Sequence, residues 1–162
     1  MSMMSMSDAA VALRSLPRRF RAVVSGPVGD DAWDRLVRTL DASQRSALGW
    51  TVHTTQLVTA LGTVILELPL TARPVLDLAK IERSRIEAPR ATTIEDVTAD
   101  LATNAERAAV ALSRRSHDDF DREIVVDGQP MEARLLVERI ITNAVANLHA
   151  AEQAMESARS TI

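Results

Sequence analysis

SALGWTVHTTQLVTALGTVILEL, residues 46–68, is the stretch whose reading decides the fold. Ala47, Trp50, Thr54, Leu57, Leu61, Val64, Ile65 and Leu68 recur largely three and four residues apart, which lays an apolar stripe along one side of an α-helix. Ser43 or Ser46 supplies its N-cap, and Pro69 ends it. His53 stands three residues after Trp50 and four before Leu57, so it borders or enters the inner face.

The rest of the chain agrees with a helical reading. It has 162 residues, enough for one domain with one core. Its hydrophobic content is dominated by Ala, Leu, Val and Ile, with two Trp, two Phe and no Tyr, a bias that suits helices better than strands. Five glycines are too few for the many tight turns of a β-sandwich.

A first helix is expected over residues 8–25, capped by Asp8 and kinked or divided at Pro17; residues 1–7 read as a disordered tail. Its run of Arg14, Arg18, Arg19 and Arg21 reads as a solvated face. Gly26, Pro27 and Gly29 stop it, and residues 30–39, with Trp33 and Leu36, read as a short helix across the bundle. The long connection 69–91 carries Pro74 and Pro89, with a few helical turns expected over 75–81. Thr93 and Asp96 sit within a capping-box pattern that opens the next long helix, with Ile94, Val97, Leu101, Ala105, Ala108 and Leu112 as its core face to about residue 113. Residues 123–128 read as an extended arm and turn, the only strand-like segment. The last helix is expected from just after Pro130 to about Arg159. Four substantial helices joined in this way describe a four-helix bundle, an all-α fold in a single domain over residues 8–159.

Composition excludes several functions. Nineteen basic and 22 acidic residues, net charge −3, leave no footprint for nucleic acid. Without cysteine the chain has no disulfide, thiolate zinc site or catalytic thiol. The apolar run 57–70 is shorter than a membrane span and carries Glu67, and the first ten residues lack the pattern of a signal peptide. A soluble cytoplasmic protein without membrane contact is expected. The acidic cluster at residues 116–123 lacks an EF-hand glycine: counting from Asp119, the sixth position is Ile124. No nucleophile triad or phosphate-binding glycine loop is present.

LPRRFRAVV (16–24), SALGWTVHTTQLV (46–58) and ARLLVERIITNAVANLHAAEQAM (133–155) together resemble the DinB-like superfamily, and within it the actinobacterial branch that includes the N-terminal domain of mycothiol-dependent maleylpyruvate isomerase. The resemblance spans residues 16–155. It implies an up-down-down-up four-helix bundle, often a homodimer, in which one His on the second helix and a pair four apart on the last helix hold zinc or nickel and activate a low-molecular-weight thiol such as mycothiol. His53 matches the first ligand. Matching the ending NLHAAE puts Thr142 and Ala146 at the paired positions, and neither can replace an imidazole or carboxylate. A displaced set of His53, Glu138 and His149 spreads its last-helix groups too far along the axis to share one ion.

No metal is therefore expected. His53 is the candidate acid–base group, with Trp50, Gln56, Thr142, Asn147 and His149 as candidate ligand-binding residues. The competing reading of His53 is a hydrogen-bonded core residue, and of Trp33 and Trp50 plain core. Three functions compete: a site beside His53 that binds or converts a small molecule without metal, a non-catalytic homodimeric interaction module, and a metal-dependent thiol S-transferase or isomerase.

Overall fold

A computed structural model describes residues 4–70, 73–85 and 87–160. The decisive stretch forms helix α3 (Ala47–Glu67), with Ser46 as N-cap accepting from the Gly49 N–H at 2.9 Å. Its threonines are accommodated by local bonding: Thr51, Thr54, Thr55, Thr59 and Thr63 each donate their hydroxyl to the carbonyl four residues earlier. A hydroxyl satisfied within its own helix can be buried at little cost, which is how a threonine-rich helix occupies the centre of the fold.

Around α3 stand three other long helices, α1 (Met6–Val24), α5 (Ile94–Arg114) and α6 (Ala133–Ser160), with short helices α2 (Asp31–Val37) and α4 (Leu78–Arg83) in the connections. Helix α3 lies against α5 and α6, and α1 lies against the same two from the other side. One continuous core runs through all four, including Phe20, Leu57, Leu61, Leu101, Leu136 and Leu148. Helices α3 and α5 run in the same direction: Val52 and Val97 line one groove with Gln56 and Asp100, and Gly62 lies beside Ala108 further along. Two neighbouring helices with one direction need a connection that travels back along the bundle, and residues 68–93 provide it.

Helix α1 begins at Met6 with Ser5 as its cap, so residues 5–7, expected in a disordered tail, belong to the helix or its cap. Pro17 is buried inside a continuous helix. The capping box of Thr93 and Asp96 is formed as expected. The acidic cluster holds a 3-10 turn, His117–Asp121.

The all-α expectation needs correction by a small sheet. Strands β1 (Val75–Leu76), β2 (Glu123–Val126) and β3 (Gln129–Glu132) lie in that order, β1 parallel to β2 and β2 antiparallel to β3. Asp127 and Gly128, both with positive φ, make the two-residue turn of the β2–β3 hairpin. The helical turns expected over 75–81 are confined to Leu78–Arg83 because residues 74–76 extend to bond this hairpin: Val125 donates to the Pro74 carbonyl and Asp127 to that of Leu76. Pro130 accordingly lies in β3, and α6 begins at Ala133.

Candidate functional site

Helix α3 presents His53 to α6 and to the connection, not to open space. The imidazole is 6% exposed. Its Nε2 lies 3.0 Å from the Ile81 carbonyl at α4, and its Nδ1 lies 2.9 Å from the Asn147 amide nitrogen on α6. A carbonyl only accepts, so Nε2 carries the proton. The Thr54 hydroxyl fixes the other side. It donates to the Trp50 carbonyl, so towards Asn147, 3.1 Å away, it must accept. Asn147 therefore presents its NH2 to both Thr54 and His53, and Nδ1 is an acceptor. A carbonyl of Asn147 turned to the ring would favour the imidazolium, but the threonine sets the amide the other way round. Burial first, and then the charge of Arg45, hold the His53 pKa below its ordinary value, against the pull of the Ile81 carbonyl. The imidazole is neutral and both nitrogens are engaged within the chain.

Trp50 meets the His53 ring edge-on, with centroids 6.0 Å apart, and donates its indole N–H to Asp41 at 3.0 Å. Arg45, almost buried, stacks over Trp50 at 4.6 Å and donates to the carbonyls of Glu82 and Ser84. Burial alone would raise the Asp41 carboxyl, but donors from Ser43, Trp50 and Arg45 outweigh it and hold it below its usual range. These residues clamp the end of the long connection onto the start of α3. Arg38 extends the clamp by donating to the carbonyls of Ala88, Pro89 and Thr92.

The other expected site residues disperse. Thr142 and Ala146 are exposed and do not face His53; Asn147 is the α6 residue that does. His149 points outward, its side chain 62% exposed, 3.9 Å from Glu152. Glu138 accepts from the Met4 N–H. Among the described residues no group of three or more His, Cys, Asp or Glu is placed to hold a metal ion. One asparagine amide against one imidazole whose nitrogens are both committed does not fit zinc or nickel, which need several imidazole, thiolate or carboxylate donors.

Gln56 parts company with His53 and lines a groove of about 890 Å³ between α3 and α5. Its floor and walls include Val52, Thr55, Ala60 and Val97, and residues 87–89 and Thr92 close one end. Glu87, Asp96 and Asp100 bring three carboxylates, and no lining residue is basic. Glu87 is seated by Ser46, whose N–H and hydroxyl reach its two oxygens at 3.2 and 2.8 Å; Gly49 leaves the space its carboxylate fills.

The sequence reading missed Arg38, Arg45 and Asp41 as organisers of this region. Arginines ahead of a long proline-bearing connection were the available signal, since loop carbonyls need donors wherever a loop is drawn inward. Comparison of the chain with family models, with curated proteins and with solved structures gives no match.

Proposed function

We propose that this chain is a DinB-like bundle without the metal donors, and that it binds a small organic molecule, uncharged or cationic, in the groove between α3 and α5. The groove carries this reading: an apolar floor with a few convergent polar groups, including the Gln56 amide and the Thr55, Thr59 and Thr103 hydroxyls, is the usual make-up of a small-molecule site. Three carboxylates and no cation in the lining disfavour an anion. The parallel run of α3 and α5 and an inward His53 at the expected place on α3 support the DinB-like, up-down-down-up arrangement. In this reading His53 is a positioning residue that fastens α4 to α6, and the groove binds without turnover.

Titration with benzylammonium, benzyl alcohol and benzoate, which share one ring and differ in charge, tests the proposal by NMR. The first two should shift the Gln56 side-chain amide and Val97 methyl signals saturably, benzoate should not, and Ala60→Trp should abolish the response. No saturable shift with any of them overturns it. Mycothiol, the thiol implied by the resemblance, belongs in the same titration.

A second reading, self-association into a homodimer, draws on the sheet end of the bundle. Leu70 and Val75 are 85% and 70% exposed there, close in sequence to half-exposed Leu66. Light scattering at increasing concentration decides it, with Leu70→Asp expected to keep the chain monomeric.

A further inference from the structure

The three carboxylates that line the α3–α5 groove have different surroundings. Asp96 and Asp100 are exposed; Asp96 accepts from the Thr93 N–H in the capping box, and Asp100 from the Asn104 side chain. Glu87 is half-buried at the closed end, beside Ala88 and Pro89. Both of its hydrogen bonds come from neutral donors, the N–H and hydroxyl of Ser46. Among the described residues no Lys, Arg or His lies within ion-pair distance of it. Arg45 feels its charge, but turns its guanidinium to the carbonyls of Glu82 and Ser84 and to the face of Trp50. A carboxylate drawn partly out of water, beside apolar walls and without an ion-pair partner, favours a cation that enters the groove.

The place of that carboxylate is built into α3. Ser46 is the N-cap of this 21-residue helix, and the start of a helix holds an anion in place. Gly49 follows in the first turn, and a Cβ there would overlap the Glu87 carboxylate. Glycine is a poor helix former. Gly49 has no positive φ that would call for it, so what its missing side chain supplies is room for Glu87.

We propose that the ligand of the α3–α5 groove is a primary ammonium with an apolar body, and that Glu87 is the residue that selects it. The inference rests on reading that groove as a binding site, and narrows its ligand from uncharged or cationic to cationic. The ammonium donates to the Glu87 oxygens, each of which keeps acceptor capacity beside its bond from Ser46. The apolar body lies along Val52, Ala60 and Val97. Ser46 and Gly49 are positioning residues, which act on the ligand through Glu87.

The test compares Kd values for benzylammonium and benzyl alcohol by NMR titration of the full chain, at neutral pH and constant ionic strength. Benzylammonium should bind about tenfold tighter or more. Glu87→Gln keeps the side chain's length and an acceptor for Ser46; it should bring the two ligands within about twofold of each other and leave benzyl alcohol binding as it was. Gly49→Ala displaces the carboxylate at unchanged net charge and should remove the preference in the same way. Asp100→Asn, the same charge loss on the exposed rim, should change the preference by no more than about twofold. Equal affinities in the unaltered chain overturn the proposal, whether or not the variants fold, while saturable benzyl alcohol binding still upholds the groove. A preference that survives Glu87→Gln or Gly49→Ala overturns it too. So does a preference lost as fully with Asp100→Asn, since that is the field of all three carboxylates and not one residue's selection. Binding of neither ligand overturns the reading of the groove, and this proposal with it.

Discussion

His53 shows how one side chain can look catalytic and yet be fully employed. Its inward position on the second long helix is readable from the Trp50–His53–Leu57 spacing. Its partners are not: the Ile81 carbonyl comes from a connection with weak patterning, and Asn147 lies 94 residues away. The arrangement makes stability depend on pH. The folded chain holds the imidazole below its ordinary 6.5, so the unfolded chain takes up the proton first. Stability from this group is complete above about pH 6.5. It falls as pH drops below that value, by at most about 1.4 kcal/mol per pH unit, and levels off beneath the folded pKa. Urea unfolding from pH 7.5 to 5 should show the decline, and His53→Gln, which can still donate to Ile81 and accept from Asn147, should flatten its share of it. Asn147→Ala strips the ring nitrogen and Thr54 of their shared donor and should cost about 1–3 kcal/mol at pH 7.5.

Among the elements, the long helices were legible because each carries its own signal: the α3 stripe, the Thr93–Asp96 capping box, the apolar run from Leu136 to Met155. Of the small sheet, the arm and turn over 123–128 were legible as β2 and its turn, and the two strands that pair with it were not. Val75 and Leu76 are two residues whose extended form depends on bonding to Val125 and Val126, a pairing across 50 residues that no local pattern announces. The inward face of α6 illustrates the same limit. A one-residue shift turns a helix face by 100°, enough to exchange exposed Thr142 and Ala146 for Asn143 and buried Asn147. Arg38 is the side chain on which the far part of the connection depends. It reaches three carbonyls between Ala88 and Thr92 and pairs with Asp34 at 3.1 Å. Arg38→Met keeps the apolar stem and removes every donor. Amide exchange at residues 87–92 should then accelerate by roughly tenfold or more, as expected for losing at least 1.4 kcal/mol of local stability, while α3 and α5 keep their protection. Binding in the groove should weaken with it, because that segment closes one end. Uniform acceleration through the long helices would instead mean that Arg38 supports the whole bundle.

At the scale of the molecule, what matters is whether the bundle needs anything beyond its own side chains to hold α3 against α6. Where a metal joins two helices, its binding free energy is part of folding, and a chelator lowers the midpoint of unfolding. Here the corresponding place is crossed by Asn147, with one NH2 serving both His53 and Thr54, and the core continues on either side through Leu57, Leu61, Ala144 and Leu148. The polar cluster is thus satisfied without an ion, and an ion entering it would have to take the His53 Nδ1 lone pair from Asn147 and find its other donors among amides. Thermal unfolding with excess EDTA, and again with added zinc or nickel, should give midpoints within about 1 °C of the untreated protein, since a stabilisation of 1 kcal/mol would move a domain of this size by roughly 2–4 °C. Asn143→His with Asn147→His supplies two imidazoles one turn apart beside His53. That double variant should gain a midpoint that rises with zinc and falls with EDTA, because it restores the donor count that zinc requires. Zinc-dependence in the unaltered chain would overturn the reading of this bundle as one without metal donors.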